Sequence, residues 1–66
     1  MSFGDTLKRL RADAGFSQRA LAKMLGLSPA AIQRWESGKV LPQAGRIREI
    51  SSALGVTQTE LLGLQS

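Results

Sequence analysis

The stretch of sequence that decides the fold is residues 15–42, GFSQRALAKMLGLSPAAIQRWESGKVLP. Apolar residues recur at helical spacing in two short blocks, and Gly26 lies between them. Ser17 is a favoured N-cap for the first block, which ends near Leu25. Ser28-Pro29 opens the second, because serine caps helices well and proline at the first helical position loses no hydrogen bond. The stretch predicts two short helices joined by a tight turn.

The second of these helices, predicted to end near Ser37, has two different faces. At about 100° per residue, Ile32 and Trp35 point to one side, which predicts that both are core residues. The opposite side is short, polar and basic, and it carries Ala30, Gln33, Arg34 and Ser37. Two short helices in close succession with such an outer face form the unit that places its second helix in the major groove of DNA.

Three further helices are predicted outside this unit. The first runs from about Phe3 to Ala14 before Gly15, the fourth stops at Gly55, and Thr57 caps a final turn. Their apolar faces are, in chain order, Phe3, Leu7, Leu10 and Ala14; Ile47, Ile50 and Leu54; and Leu61 and Leu62. No segment alternates in the manner of a β-strand. We therefore predict an all-α fold of five helices in one compact domain over residues 1–66.

Composition excludes several classes of function. The chain has no cysteine and no histidine, which removes disulfides, thiolate or imidazole metal sites and His-dependent catalysis. No paired carboxylate site or phosphate-binding glycine loop is present either, so we expect no enzyme, no cofactor and no metal. The net charge is +4, and the middle of the chain is basic. Between Ser17 and Arg48 a single acid, Glu36, stands against Arg19, Lys23, Arg34, Lys39, Arg46 and Arg48.

The outer face of the third predicted helix suits contacts to bases. Arg34 can donate two hydrogen bonds to guanine and Gln33 can pair with adenine, while Pro29 or Ala30 can touch a thymine methyl group. The alternative is that Gln33 and Arg34 are ordinary solvated residues of an amphipathic helix. The adjacent tight turn favours the DNA interpretation.

Two clusters beside that helix are candidates for phosphate contacts: Ser17, Gln18 and Arg19, and Ser37, Gly38 and Lys39. The first cluster lies at the start of the second helix, where unpaired amides attract an anion. Taken singly, Arg19 and Lys39 can equally be solvated surface charges. Glu36 needs a charged partner if it is buried, so we expect an ion pair there.

The motifs resemble the lambda-repressor-like family of five-helix DNA-binding domains, also called the Cro/C1 or Xre type. The similarity covers residues 15–42 and IREISSALGVTQTELL at 47–62. Its matching positions are Ser17-Gln18, Leu21-Ala22, Gly26, Ser28, Ile32, Trp35-Glu36, Gly38, Pro42 and Ala53-Leu54-Gly55-Val56. The resemblance implies a helix-turn-helix formed by helices two and three.

The resemblance also implies roles for individual residues. Gln18 would contact a phosphate and brace the start of helix three, and Arg11 and Glu36 match a buried ion pair. The positions expected to face bases are Ser28, Pro29, Ala30, Gln33 and Arg34. Family members often place long polar side chains in the first turn of helix three, whereas this chain has Pro29 and Ala30. Base recognition would then rest more on Gln33, Arg34 and DNA shape.

The expected function is that of a cytoplasmic, prokaryotic or phage-encoded repressor that binds a palindromic operator in double-stranded DNA as a homodimer. No membrane partner or small-molecule ligand is expected. Phage repressor, restriction-modification controller and antitoxin all remain open. A competing interpretation is a protein-interaction module that docks a partner through Leu61, Leu62 and Leu64, although the same leucines can simply close the core. RNA binding is disfavoured because stacking aromatic residues are scarce.

Overall fold

The computed structural model describes residues 2–63, which form five α-helices and no β-strand. The helices are α1 (Phe3–Asp13), α2 (Gln18–Leu25), α3 (Pro29–Ser37), α4 (Ala44–Leu54) and α5 (Gln58–Leu61). The predicted all-α fold with five helices is confirmed. No helix within residues 2–63 is both long enough and apolar enough to cross a lipid bilayer.

A single hydrophobic core joins all five helices. α3 packs against α1 and α2, α4 packs against α2 and α5, and α5 returns to α1. The buried apolar residues are Leu7, Leu10, Leu21, Ala22, Ile32, Trp35, Ile47, Ile50, Leu54 and Leu61. Because α3 is held from one side only, its remaining surface faces outward along its whole length.

Short-range capping fixes where the helices begin and end. The Ser17 hydroxyl accepts a hydrogen bond from the Ala20 amide at 3.0 Å, and Thr57 forms a capping box with Glu60. Gly26 has a φ of 71° and ends α2 in the left-handed conformation, which costs glycine nothing. The tight turn between α2 and α3 therefore follows from local chemistry.

Three local predictions need correction. α1 ends at Asp13, and Ala14, expected on its buried face, is exposed, while Gly4 and Thr6 are buried on α1. Ser28 occupies the N-cap position of α3, but its side chain makes no capping hydrogen bond. The amide of Ala31 bonds instead to the carbonyl of Ser28, at 3.1 Å.

The leucines near the C-terminus have different environments. Leu61 is fully buried and closes the core, whereas Leu62, just past the end of α5, is 44% exposed. Leu64 lies outside the described residues.

Candidate nucleic-acid interface

The exposed face of α3 lines a shallow groove of about 270 Å³. Its walls are Ala30, Gln33, Arg34, Ser37 and Lys39. The first four recur at intervals of three and four residues and so form one stripe along the helix. Ile32 and Trp35 are buried on the opposite side. The predicted division of α3 into a core face and an outer face is confirmed.

The two cations that line this groove, Arg34 and Lys39, are not held in ion pairs within residues 2–63. Within residues 2–63, neither Arg34 nor Lys39 forms a salt bridge, and both are exposed. The planar guanidinium of Arg34 therefore keeps its donors available for a bidentate acceptor, and the amide of Gln33 offers a donor beside an acceptor. These are the side-chain patterns that match the major-groove edges of guanine and adenine.

At the C-terminal end of α3, the side chain of Lys39 is the hydrogen-bond donor that faces outward. The Ser37 hydroxyl donates to the carbonyl of Arg34 at 3.0 Å. The amide of Gly38 donates to the carbonyl of Trp35 at 3.3 Å, and that of Lys39 to Arg34 at 3.2 Å. These bonds end the helix and already use the nearby hydrogen-bond donors. The ammonium group of Lys39 is thus the exposed cation of the second predicted cluster.

The start of α2 offers a different set of donors. Ser17 accepts a bond from Ala20, which leaves its own hydroxyl proton able to donate elsewhere. Arg19 is exposed and forms no ion pair within the part of the chain that the structure describes. The amides of Gln18 and Arg19 begin α2, where the first amides of a helix lack carbonyl partners in the preceding turn and together form the positive end of its dipole. This end of α2 suits an anion.

A buried ion pair ties α3 to α1. Arg11 donates to both carboxylate oxygens of Glu36, at 2.5 and 3.1 Å, and also to the carbonyl of Phe16 at 2.7 Å. The two side chains are only 12% and 5% exposed. The hydrogen bond to Glu36 raises the pKa of Arg11, against the lowering effect of burial. The expected pairing of Arg11 with Glu36 is confirmed.

Gln18 joins the same network, at a different point on α3 from the one expected. Its side-chain amide nitrogen donates to Glu36 at 2.9 Å. Glu36 lies in the last turn of α3, so Gln18 braces the end of that helix and not its start. One amide hydrogen of Gln18 remains for another acceptor, because Glu36 takes only one of the two.

The sequence did not predict two structural contacts, one made by Gly4 and one by Arg46. Gly4 is buried where α1 meets the main chain of Glu36. The signal that could have revealed this close approach is a glycine on the apolar side of α1, three residues before the buried Leu7. Arg46 donates to the carbonyl of Leu25 at 3.4 Å and pairs with Glu49, so this basic residue supports the end of α2.

Arg48 on α4, another cation of the basic stretch, lies away from the groove of α3. Arg48 lines a separate groove between α2 and α4, together with Met24, Leu25, Glu49, Ser52 and Ala53. The positive charge of the middle of the chain is therefore distributed over several surfaces, and only Arg34 and Lys39 line the groove of α3.

A family model described as a helix-turn-helix domain matches residues 2–64. The chain belongs to this family. As a member of this family, the chain is a helix-turn-helix DNA-binding domain of the transcription-regulator type.

Two bacterial relatives of this helix-turn-helix protein are transcriptional regulators. The HTH-type transcriptional activator BcrR of Enterococcus faecalis is 40% identical over 62 residues, covering 94% of this chain and 30% of its own length. The SPbeta prophage-derived uncharacterized HTH-type transcriptional regulator YonR of Bacillus subtilis (strain 168) is 35% identical over 60 residues, covering 91% of this chain and 56% of its own. The chain thus spans less than two thirds of either relative.

Solved repressor structures share the fold of this helix-turn-helix protein. The DNA-binding domain of the P22 c2 repressor, determined in solution, superimposes with a TM-score of 0.88 at 31% identity, covering 94% of this chain and 82% of that one. A crystal structure of the P22 c2 repressor in complex with synthetic operator 9T gives 0.87 at 31% identity, covering 94% of both chains. The LexA repressor of Eubacterium rectale, at 22% identity and a TM-score of 0.84 over 97% of this chain and 68% of that one, shares the fold. The lambda-repressor-like fold is confirmed.

Proposed function

We propose that this protein is a transcriptional repressor that binds a palindromic operator as a homodimer, with α3 in the major groove. The observation that carries the proposal is the groove of α3, where Gln33 and Arg34 are exposed and Arg34 forms no ion pair within residues 2–63, on a helix whose other side is buried. The crystal structure of the P22 c2 repressor with an operator supports the same mode of use for this fold.

The proposed contacts divide by chemistry. Arg34 and Gln33 contact base edges, and Ser28, Pro29 and Ala30 approach the bases from the first turn of α3. Phosphates are bound at two places beside the helix. Ser17, Gln18 and Arg19 provide one cluster. In the other, Ser37 and Gly38 close the end of α3 with their own hydrogen bonds, and the ammonium of Lys39 makes the contact.

A dimer is proposed because one copy reads too little DNA. α3 has nine residues, and its outer stripe reaches only a few base pairs. Two copies related by a two-fold axis bind two half-sites about 34 Å apart, which multiplies specificity. Operator symmetry then follows from protein symmetry.

Repression is favoured over activation because occupying a promoter needs nothing beyond DNA binding. Activation additionally requires a surface that contacts the transcription machinery. The cytoplasm of a bacterium, where chromosomal or phage operators lie, is the proposed location.

Selection from a randomised pool of duplex DNA tests the proposal, because it identifies the bound sequence directly. The wild-type protein is expected to retain a palindromic consensus, and Arg34→Ala is expected to relax one base position per half-site, at a cost of about 1 to 3 kcal/mol. Arg48→Ala is the matched control, because it removes an exposed arginine from α4, outside the groove of α3. It should keep the consensus unchanged.

Two results of the selection experiment would contradict the proposed function. If the protein retains DNA only weakly, without sequence preference and not at moderate salt, its basic surface attracts DNA nonspecifically and the proposal is wrong. The same consensus in wild type and Arg34→Ala would exclude α3 as the reading element.

A further inference from the structure

We infer that the groove between α2 and α4 binds a second copy of this protein, with Met24 of each copy in the groove of the other and Arg48 of each copy paired with Glu49 of the other. The inference rests on the proposed function and deepens it, because it assigns an interface to the proposed homodimer. This groove shares no lining residue with the groove of α3. Contact between two copies there leaves the proposed base-contacting residues uncovered.

The shape of the groove suits an apolar side chain from a facing copy. The groove has a volume of about 460 Å³. Met24 lines it from the last turn of α2 and is 53% exposed, which is a large exposure for an apolar side chain. Ser52 and Ala53 line it from α4, and their short side chains leave room above that helix. Because methionine is unbranched and flexible, Met24 of one copy can fill the space above Ser52 and Ala53 of the other.

The charges of the groove are complementary to themselves. Arg48 is exposed and forms no ion pair within residues 2–63. Beside it, Glu49 accepts a hydrogen bond from Arg46 on Oε1 at 3.1 Å, which leaves Oε2 able to accept another donor. In a two-fold contact every pair occurs twice, so one contact between Arg48 and Glu49 implies a second. One copy of this surface therefore carries both members of the pair that a dimer needs.

A second copy suits this groove better than a nucleic acid does. A phosphate that approached Arg48 would also face the carboxylate of Glu49. Each copy carries a net charge of +4, so two copies repel each other at long range unless an acid lies where they meet. Glu49 supplies that acid. Methionine and arginine are also among the residues enriched in interfaces between proteins.

Charge reversal tests the pairing. Arg48→Glu and Glu49→Lys should each weaken self-association at least about tenfold, because two-fold symmetry turns one substitution into two contacts between like charges. An equimolar mixture of the two variants should recover most of the wild-type association. In the mixed dimer both contacts again join an acid and a base, and the total charge equals that of the wild-type dimer. Sedimentation equilibrium, with the protein alone and with the selected operator duplex, measures the association.

The matched control makes the same charge reversals on α1. Lys8→Glu and Asp13→Lys lie on exposed positions, and Asp13 pairs with Arg9 as Glu49 pairs with Arg46. Both control variants should associate as the wild type does, alone and when mixed. Circular dichroism melts establish that each variant is folded.

Variants of Met24 test the apolar part of the contact. Met24→Glu places a charge in the groove and should also weaken association at least about tenfold, whereas Met24→Leu should keep it. Arg48→Ala removes a pair at the edge of the contact without creating repulsion, so it should weaken association only slightly and still select the palindromic consensus.

The outcomes separate this inference from the proposed function. If wild type, Arg48→Glu and Glu49→Lys associate equally, both free and on the operator, the inference is wrong and operator binding stands. Loss of association in both variants without recovery in their mixture overturns the pairing of Arg48 with Glu49. A selection that yields no consensus overturns the proposed function, whereas the mixing experiment on the free protein decides the interface by itself.

Discussion

Gly4 of α1 lies directly against the main-chain carbonyl group of Glu36, so that α1 meets α3 without any side chain between them. A methyl group placed on Gly4 would lie 2.8 Å from the carbonyl carbon of Glu36 and 2.9 Å from the carbonyl oxygen of Trp35. The side chain of Glu36 is held by Arg11 of the same α1. The position of α3 therefore depends on α1 at two points of contact.

We predict that Gly4→Ala destabilises the fold, although alanine is the better helix former. The intrinsic preference of alanine is worth about 1 kcal/mol, but the added methyl group would collide with main-chain atoms that cannot rotate away. Overpacking of this kind costs about 1 to 3 kcal/mol and sometimes more, so after the gain in helix preference we expect a net loss of up to about 2 kcal/mol. Urea unfolding followed by circular dichroism measures the change in the free energy of unfolding.

Gly45→Ala provides the matched control in α4. Nothing lies within 4 Å of a methyl group at that position, so the same substitution should stabilise the protein by about 0.5 to 1 kcal/mol. Equal effects of the two substitutions would show that close packing of α1 on α3 does not limit stability.

Removing only one partner of the buried Arg11–Glu36 pair should lower the stability of the fold strongly. Removing either partner, as in Arg11→Met or Glu36→Met, leaves an uncompensated charge in the interior and should cost about 3 kcal/mol or more. The double variant should be more stable than either single variant, because it leaves no charge behind. Thermal melts of the four proteins give the coupling. A double variant that loses the sum of the two single effects would contradict this account.

The same pair predicts how stability responds to pH. The hydrogen bond to Glu36 raises the pKa of Arg11 in the folded state. A cation with a raised pKa contributes stability in full below its unfolded pKa and loses it only as the pH rises through the folded value. Both values lie far above neutrality, so Arg11 should add no pH dependence between about pH 6 and 9. Urea midpoints of wild type and the double variant Arg11→Met with Glu36→Met, which leaves no unpaired carboxylate in the interior, should differ by a constant amount across that range.

Local sequence signals predicted the helices well because their ends are fixed by neighbouring residues. Ser17, Gly26 and Thr57 act within three or four residues of their own positions, and those interactions are visible in the sequence. Ile32 and Trp35 follow the helical period, so their burial was predicted from α3 itself. The outer stripe of α3 followed from the same period.

Contacts between distant segments were less predictable. The carbonyl that accepts from Arg46 belongs to Leu25, 21 residues away, and no periodic pattern marks it. Gln18 was placed at the start of α3 through the family resemblance alone; the sequence does not give the angle at which α2 crosses α3, and so could not show that Gln18 reaches Glu36 at the other end. The pairing of Arg11 with Glu36 was predicted only through resemblance to a family.

The two serines before α2 and α3 should behave differently on substitution. Ser17→Ala removes a cap that accepts the Ala20 amide and should cost about 1 kcal/mol of stability. Ser28→Ala should leave stability nearly unchanged, because the Ser28 side chain makes no capping bond. Its hydroxyl is exposed beside Pro29, so the loss should appear in operator binding instead. Melting temperatures and operator affinities of both variants test this; a cost of about 1 kcal/mol for Ser28→Ala, the usual value for a lost cap, would disprove it.

Lys39 should contribute to affinity without contributing to sequence preference. Its ammonium group is exposed at the edge of the α3 groove and forms no ion pair within residues 2–63, which suits a phosphate and not a base. Lys39→Ala should weaken binding to all duplexes alike and reduce the slope of log affinity against log salt by about one, because one fewer counterion is released. Lys8→Ala removes an equal charge from the exposed face of α1 and should leave the slope unchanged. Fluorescence anisotropy titrations at several salt concentrations, with the selected operator and a scrambled duplex, measure both quantities. A loss confined to the operator would instead place Lys39 among the base contacts.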